Sequence, residues 1–273
     1  MMSKNSKKVA LVTGASSGIG AAIAERLVNA GYRVFGTSRR TTQVAGSHSF
    51  EMLSLDITSD ESIDAAVNEL VQQVGRIDVL VNNAGFNLAM AGAEESSIEQ
   101  AQSIFNTNFF GLVRMTRAVL PVMRRQGHGR IINIGSVVGF LPMPYMALYS
   151  ATKHAIEGYS QSLDHELRTM GIRVSVVEPA FMKTSIDANA QEADTKLDEY
   201  QVARVTMDKR LKELFSLAED PSVVADAVLK AASSASPKTR YPAGVAARRL
   251  RWLHSWLPGS LLDIGIRNHL QMK

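Results

Sequence analysis

The chain has 273 residues, of which 45% are hydrophobic and 21% are charged, and it contains no cysteine. This composition is typical of a globular protein with a buried core, and it excludes disulfides, thiolate nucleophiles and cysteine-based metal sites. The net charge of +4 comes from scattered basic residues, and the six histidines show no metal-ligand spacing, so we expect neither nucleic acid nor a metal as a partner. Its apolar runs are too short for a signal peptide or a membrane span, which agrees with a cytoplasmic protein.

Short β-branched runs alternate with helical patterns along most of the chain. Buried strands are predicted at Val9–Thr13, Arg33–Thr37, Phe50–Leu55, Val79–Asn82, Arg130–Ile134 and Arg173–Glu178, with a short last strand at Arg240–Pro242. Helices are predicted at Ile19–Ala30, Glu61–Val74, Ile98–Met123, Tyr149–Met170 and Pro221–Ala232. This alternation predicts one α/β domain spanning residues 1–273, with a doubly wound parallel sheet flanked by helices and helical elaborations at about 188–217 and 246–270.

A glycine-rich loop joins the first strand to the first helix. Its glycines allow a tight turn and let a pyrophosphate approach the backbone, while the helix N-terminus offers N–H groups and a positive dipole. The loop therefore predicts a dinucleotide site, with an ordinary glycine-rich turn as the alternative. The residues assigned to this site are Gly14, Ser16, Ser17, Gly18, Ile19 and Gly20.

The end of the second strand indicates which dinucleotide binds. An NAD site usually places a carboxylate there to hold the ribose 2′-hydroxyl, but the segment Phe35–Arg40 contains no acid. Ser38 and Arg39 can instead bind a 2′-phosphate, because a guanidinium matches phosphate oxygens well. We therefore expect NADP(H); the alternative is that Arg39 and Arg40 are solvated loop charges.

Further motifs follow in chain order: Asn82-Asn83-Ala84-Gly85, Asn108, Ser136 thirteen residues before Tyr149, and Tyr149-Ser-Ala-Thr-Lys153. Together with the glycine loop they resemble the short-chain dehydrogenase/reductase family over roughly Lys8–Ile186. The apolar segments near these motifs also look like those of its hydroxysteroid and retinol dehydrogenase-like branches. The resemblance implies a Rossmann-type fold and an enzyme that transfers hydride between nicotinamide and a carbonyl or secondary alcohol.

The chemistry of three of these residues follows from their types and spacing. Tyr149 and Lys153 lie four apart on a helix, so they project from the same face. A nearby ammonium lowers the pKa of a phenol, which allows Tyr149 to act as general acid/base. Ser136, at the carboxyl end of a strand, can hydrogen-bond the same substrate oxygen. The alternatives are a core tyrosine and a surface lysine.

The resemblance implies further roles. Lys153 would also contact the nicotinamide ribose, and Asn108 would orient a water that relays protons, unless it only bridges a helix backbone. Asp56 would contact the adenine. The remaining cofactor-binding residues would be Asn83, Ala84, Gly85, Pro179 and Thr184. Ala180 replaces the glycine that the family has after Pro179, so the path of this loop should differ slightly.

Apolar segments should border the substrate. Phe86–Met90, Phe140–Met146 and Phe181–Met182 are expected near the catalytic residues, and methionine suits adaptable pockets. These walls favour a lipophilic substrate, such as a steroid, a retinoid or a similar ketone. The alternative is that they are ordinary core or subunit contacts.

The last segment predicts a terminal helix on which Leu250, Leu253 and Leu257 share one face and Arg248, Arg249 and Arg251 supply charge. We favour packing on the domain or a lid over the pocket; contact with another subunit or with an anionic membrane is the less favoured alternative. The family resemblance implies a homodimer or homotetramer. A different class of function, a non-catalytic NADP(H)-binding redox sensor, would not need Ser136, Tyr149 and Lys153.

Overall fold

The apolar runs form one seven-stranded sheet in the computed structural model, which describes residues 7–39, 48–184 and 190–270. The strands are β1 (Val9–Val12), β2 (Arg33–Ser38), β3 (Glu51–Ser54), β4 (Val79–Asn82), β5 (Gly129–Ile134), β6 (Ile172–Pro179) and β7 (Arg240–Ala243). They lie in the order β3-β2-β1-β4-β5-β6-β7, and every neighbouring pair is parallel. The predicted Rossmann-type sheet is therefore confirmed.

Helices connect the strands and cover both faces of the sheet. Within the described ranges they are α1 (Gly18–Asn29), α2 (Asp60–Val74), α3 (Ile98–Phe105), α4 (Gly111–Gln126), α5 (Ala147–Leu167), α6 (Gln201–Ser216), α7 (Ser222–Ser233), α8 (Val245–Trp256) and α9 (Gly259–His269). None of these helices combines the length and the apolar character needed to cross a bilayer.

Two cores hold the layers together. On one face, side chains of α1 and α7 such as Leu27 and Val228 pack on Val12 and Val81 of the sheet. On the other face, side chains of α2, α4 and α5 pack against the sheet; Leu70, Met115 and Leu163 belong to this core. Because both faces are covered, β1 and β4 are buried at every position, as expected of parallel strands.

The strand order fixes where a ligand can bind. The chain runs outward from β1 to β3 on one side and outward from β4 to β7 on the other, so the connections diverge between β1 and β4. In open α/β sheets, ligands bind at this point, outside the carboxyl ends of the strands. The glycine loop follows β1, and the Asn82–Gly85 motif begins at the end of β4.

The region predicted to be one long helix, Ile98–Met123, contains two α-helices in the structure. A π-helical turn at Asn106–Phe110 separates α3 from α4, and α4 continues to Gln126. Periodicity does not reveal this turn, because the helix continues through it with only a local change in hydrogen bonding. The turn contains Asn108, one of the predicted site residues.

The two helical elaborations are also more divided than expected. Residues 188 and 189 lie outside the described ranges, and the later part of the first elaboration is a short 3₁₀ turn followed by α6. The C-terminal elaboration is two helices, because α8 ends before Pro258. The prediction that Leu257 shares a helical face with Leu250 and Leu253 is therefore wrong: Leu257 follows the helix and is exposed.

Candidate active site

The glycine loop is shaped by close approach of backbone to backbone. Gly14 has a φ of 65°, and a Cβ there would lie 3.0 Å from Ala84 Cα. A Cβ on Gly20 would lie 2.1 Å from the Gly14 carbonyl oxygen. These two positions therefore require glycine for different reasons, the first for its dihedral angle and the second for space.

The Asn82–Gly85 motif holds the glycine loop in place through hydrogen bonds. The Asn83 side-chain amide donates to the carbonyl oxygens of Thr13 at 2.9 Å and of Gly14 at 3.1 Å. The Thr13 hydroxyl oxygen in turn accepts from the backbone N–H groups of Asn83 at 2.9 Å and Ala84 at 3.0 Å. The motif thus fixes the path of the loop, and Asn83 and Gly85 also line the cleft beside it.

The N-terminus of α1 differs from those of α2 and α3. Ser59 and Ser97 cap the latter two helices, accepting from the backbone N–H groups of Ser62 and Gln100. Ser17, the N-cap of α1, makes no side-chain capping bond, and the first turn holds no acid. The first N–H groups of α1 are therefore left for another acceptor, which fits an anionic phosphate.

Ser38, Arg39 and Asp56 lie together at the carboxyl ends of β2 and β3, apart from the cleft. Arg39 is exposed, and Arg40 lies outside the described residues. The pKa of Asp56 is held below its ordinary value, chiefly by the backbone N–H and hydroxyl of Thr58, and Arg39 adds to the effect. Thr37, just before Ser38, accepts at its carbonyl from the backbone N–H of Ala15, which keeps this edge beside the glycine loop.

Tyr149, Lys153 and Ser136 line one cleft. The Lys153 ammonium lies 5.5 Å from the centroid of the Tyr149 ring and donates to the Ile134 carbonyl oxygen at 2.9 Å. Burial lowers the pKa of Lys153 to about 8. Ser136 caps a short 3₁₀ turn after β5, and its hydroxyl oxygen accepts from the backbone N–H of Val138 at 3.3 Å. The three side chains predicted to be catalytic are therefore brought together.

Asn108 contacts protein backbone on both sides of its amide. Its Oδ1 accepts from the backbone N–H of Phe86 at 2.9 Å, and its Nδ2 donates to the carbonyl oxygen of the same residue at 2.8 Å. A Cβ on Gly85 would lie 2.9 Å from this Oδ1. In this structure Asn108 thus fixes the loop after the Asn82–Gly85 motif, and it also lines the cleft.

A buried polar network beneath the cleft was not predicted from the sequence. Asn82 Nδ2 donates to Asn133 Oδ1 at 2.9 Å and to Thr116 Oγ1 at 3.2 Å. Asn133 Nδ2 donates to Ser160 Oγ at 2.8 Å, and Ser160 lies on α5, the helix that carries Tyr149 and Lys153. Polar residues inside otherwise apolar strands are the signal that could have revealed this network, since buried amides need partners. It ties β4 and β5 to α4 and α5.

The loop after β6 closes another side of the cleft. Ala180 packs against the same small cluster as Tyr149 and does not adopt a positive φ, so its extra methyl group fits where the family pattern has glycine. Thr184 lies 3.6 Å from where a Cβ on Gly18 would be. Its hydroxyl oxygen is buried and finds no hydrogen-bond partner within the described chain. This hydroxyl fits a ligand amide, such as a nicotinamide carboxamide, in the cleft.

The cleft has a largely apolar wall. The expected segments contribute Phe86, Met146, Phe181 and Met182. Phe215 was not predicted; it reaches the cleft from α6 and packs edge-on against Phe181, with ring centroids 5.2 Å apart. Sequence reasoning missed Phe215 because the segment around it is mostly polar and gave no sign of a wall residue.

Buried carboxylates anchor the helices that border this wall. Glu95 is fully buried and accepts from the backbone N–H groups of Gly92 and Leu197, at 2.6 and 2.8 Å, and it forms an ion pair with Arg204 of α6. It thereby connects the chain after β4 to the chain after β6.

A second carboxylate anchors α8. Glu178, at the end of β6, is fully buried and pairs with Arg251 of α8. The Arg251 guanidinium also lies 3.9 Å from the centroid of the Phe140 ring. The expectation that Arg251 joins Arg248 and Arg249 in supplying outer charge is therefore wrong, because its geometry turns it inward against a buried partner.

The comparisons with known proteins agree with this geometry. Residues 8–195 match the family model described as short chain dehydrogenase. The chain is 35% identical to a 3-ketodihydrosphingosine reductase from Bacteroides thetaiotaomicron over 95% of this chain and 97% of that protein. It is 34% identical to the 3-oxoacyl-[acyl-carrier-protein] reductase FabG of Vibrio cholerae over 87% of this chain and 93% of that one.

Solved structures show the same likeness. A short-chain dehydrogenase from Streptomyces avermitilis superposes with a TM-score of 0.82 at 34% identity, covering 98% of both chains. One from Burkholderia cenocepacia, in complex with NADP, gives a TM-score of 0.75 at 26% identity, covering 94% of this chain and 97% of that chain. A 3-ketoacyl-(acyl-carrier-protein) reductase from Brucella melitensis, complexed with NADH, gives 0.74 at 27% identity, covering 86% and 95%.

Proposed function

This chain belongs to the short-chain dehydrogenase/reductase family, and from that premise we propose that it is an NADP(H)-dependent oxidoreductase of a lipophilic ketone or secondary alcohol, with Tyr149 as general acid/base. Membership itself makes it an oxidoreductase that acts on CH–OH or carbonyl groups with a nicotinamide cofactor. The preference for the phosphorylated cofactor, the substrate class and the roles of individual residues are the parts that we propose.

The observation that carries the proposal is the convergence of Ser136, Tyr149 and Lys153 on one cleft beside the glycine loop. In the direction of reduction, the Tyr149 hydroxyl donates its proton to the substrate carbonyl oxygen, and the Ser136 hydroxyl donates a hydrogen bond to the same atom. The Lys153 ammonium favours the phenolate that remains, since a nearby positive charge lowers the pKa of a phenol. The bound nicotinamide supplies or accepts the hydride.

The phosphorylated cofactor is supported by Ser38 and Arg39. Ser38 is the last residue of β2 and Arg39 follows it, at the edge of the sheet beside the glycine loop, where an NAD site would present a carboxylate. An exposed guanidinium there can pair with a 2′-phosphate without a large cost of desolvation. The structure from Burkholderia cenocepacia contains NADP and the one from Brucella melitensis contains NADH, so both cofactors occur among the structural neighbours.

A lipophilic substrate is supported by the wall of the cleft. Phe86, Met146, Phe181 and Phe215 surround the catalytic hydroxyls, and burying apolar substrate surface against them contributes roughly 25 cal/mol per Å². Two relatives are named for reduction at a 3-keto or 3-oxo position, one on dihydrosphingosine and one on an acyl chain. Both names agree with an aliphatic ketone next to such a wall.

We also propose that the whole chain is one catalytic domain and that it acts in the cytoplasm as a homodimer or homotetramer through α4 and α5. Phe110, just before α4, is half exposed and packs against Phe109, which in turn packs against Tyr159 of α5, so this surface has an apolar centre. Sedimentation equilibrium of the wild type and a Phe110→Glu variant tests this assembly. Identical molar masses for the two proteins would contradict it.

The first experiment is a fluorescence titration of the protein with NADPH and with NADH. We expect NADPH to bind at least tenfold more tightly, which corresponds to about 1.4 kcal/mol. An Arg39→Ala variant should lose most of this difference while its affinity for NADH stays the same. Equal affinities in the wild type, or tighter NADH, would contradict the assignment of a phosphate site.

A second experiment separates catalysis from binding. With NADPH and a panel of lipophilic ketones, the wild type should oxidise NADPH, and Tyr149→Phe should lose about a thousandfold or more of that turnover. Tyr149→Phe should bind NADPH as the wild type does, because the hydroxyl is needed for proton transfer. Retained turnover would overturn the acid/base role; tight NADPH binding without turnover in the wild type would instead favour the redox sensor.

A further inference from the structure

One side of α8 carries both large apolar and basic residues. Val245, Arg248, Arg249, Trp252 and Trp256 recur at helical spacing, so they share one side of the helix, and each of them is exposed. We call this set the outer face of α8. Trp252 is 63% exposed and Trp256 is 74% exposed, which is unusual for the largest apolar side chains.

The apolar surface continues beyond the end of α8. Leu257 follows the helix, and Leu261 and Ile264 of α9 are also exposed. From Val245 to Leu270 the sequence contains a single acidic residue, Asp263, against three arginines other than the inward-facing Arg251. The outer face of α8 and its continuation therefore combine exposed apolar side chains with a positive charge.

The opposite side of α8 is firmly attached to the active site. Ala247 is fully buried against Val137 and Val138, which follow Ser136. His254 packs against the Phe140 ring at 5.2 Å between centroids, in addition to the buried pair that Arg251 forms with Glu178. Because α8 is anchored on one side, its exposed tryptophans belong to a surface that is held in place.

We propose that the outer face of α8 docks on the surface of an anionic lipid bilayer. Tryptophan favours the interface between water and the bilayer, and arginines beside it are attracted to anionic headgroups. A second copy of the chain fits this surface less well. A twofold contact through this surface would bring two copies of the same basic patch together, and their charges would repel. The proposal stands independently of the cofactor and the substrate.

Tryptophan emission provides a direct readout. The chain contains only two tryptophans, and both lie on the outer face of α8. Vesicles that contain phosphatidylglycerol should shift the emission to shorter wavelength, and brominated lipid acyl chains in them should quench it. Vesicles of phosphatidylcholine alone should bind at least tenfold more weakly, and added salt should weaken binding to the anionic vesicles.

A matched pair of variants identifies the contribution of charge. Reversing Arg248 and Arg249 to glutamate should weaken binding to anionic vesicles at least tenfold, because each basic residue near an anionic surface contributes to attraction. Reversing Lys7 and Lys8, an exposed pair just before β1, changes the net charge equally and should leave binding within twofold. A Trp252→Ser, Trp256→Ser variant, followed by flotation with the vesicles, should bind at least tenfold more weakly.

Three results would overturn the proposal. The first is an unchanged emission spectrum together with no co-flotation with anionic vesicles. The second is equal weakening by reversal of Lys7 and Lys8, which would mean that only the net charge of the protein matters. The third is a blue shift that appears without vesicles as the protein concentration rises and coincides with dimers in sedimentation, which would assign the surface to a second copy. NADPH titration of every variant shows that failure to dock is separate from loss of the cofactor site.

Discussion

The two sides of the cleft are built in different ways. On the side of the glycine loop, backbone lies against backbone: Gly14 and Gly20 approach each other and Ala84 more closely than a side chain would allow. On the opposite side, α6 and α8 are held by buried carboxylates, Glu95 and Glu178, that pair with arginines from distant segments. Close steric packing therefore determines the geometry of the first side, whereas buried ion pairs hold the helices of the second side in position.

This difference matches the ligands that we assign to each side. A pyrophosphate is the same in every dinucleotide, so a fixed arrangement of backbone N–H groups is sufficient to bind it. A substrate pocket varies between related enzymes, and helices attached by a few ion pairs allow its wall to change while the sheet stays unchanged. We therefore expect steric substitutions to affect the cofactor side most, and loss of charge to affect the substrate side most.

The largest effect should come from Gly20→Ala. The new Cβ would lie 2.1 Å from the Gly14 carbonyl oxygen, so the loop or the start of α1 must move. We expect the Kd for NADPH to rise at least a hundredfold, or about 2.7 kcal/mol, measured by fluorescence titration. The variant should also unfold at a lower urea concentration, because backbone atoms cannot give way as a flexible side chain can.

The control for Gly20→Ala is Gly265→Ala in α9. A Cβ there meets nothing within 4 Å, and alanine is favoured over glycine inside a helix by about 1 kcal/mol. Gly265→Ala should leave NADPH binding unchanged and raise stability slightly. An NADPH affinity of Gly20→Ala within a few-fold of the wild type would contradict the view that backbone packing determines the cofactor side.

The same difference explains which features the sequence predicts. The strands, the helix order and the residues of the glycine loop were predicted because local patterns encode them: Gly14 and Gly20 stand at fixed spacing between a strand and a helix. Tyr149 and Lys153 are likewise local, one turn apart. Arg204 and Arg251 were not assigned their partners, since Glu95 and Glu178 lie far away in the sequence. Nothing local distinguishes an arginine that points inward from one on the surface.

A smaller effect, confined to the substrate side, should follow Glu95→Gln. The glutamine keeps the size of the side chain but loses the charge that pairs with Arg204, and its NH₂ group cannot accept from the backbone N–H groups of Gly92 or Leu197. We expect KM for a ketone substrate to rise about tenfold through displacement of α6, while the Kd for NADPH stays the same. Steady-state kinetics with saturating NADPH measures this difference.

Its control is the neighbouring Glu94→Gln. Glu94 is exposed and accepts a hydrogen bond from the Tyr200 hydroxyl at 2.7 Å, so it touches the same part of the chain without being buried. Exposed contacts of this kind contribute little, and KM should change less than twofold. If Glu95→Gln weakened NADPH binding as much as it raised KM, the two sides would not be separable and the comparison would fail.

The smallest effect concerns stability at Lys153, where the two sides meet. Its pKa of about 8 lies below the ordinary value of 10.5 because burial disfavours the ammonium. Below pH 8 the lysine is charged in both the folded and the unfolded chain, so folding carries the whole cost of desolvation. Between pH 8 and 10.5 the unfolded chain binds the proton and the folded chain does not, so the free energy of unfolding rises with pH. Lys153→Met removes the charge and should therefore stabilise the protein at pH 7, by about 1 kcal/mol or less, because loss of the hydrogen bond to the Ile134 carbonyl offsets most of the gain. Urea unfolding at pH 7 and at pH 10 measures this gain, which should shrink at the higher pH even though the variant has lost its catalytic ammonium. A gain of the same size at both pH values would mean that the gain does not come from desolvation of the Lys153 ammonium.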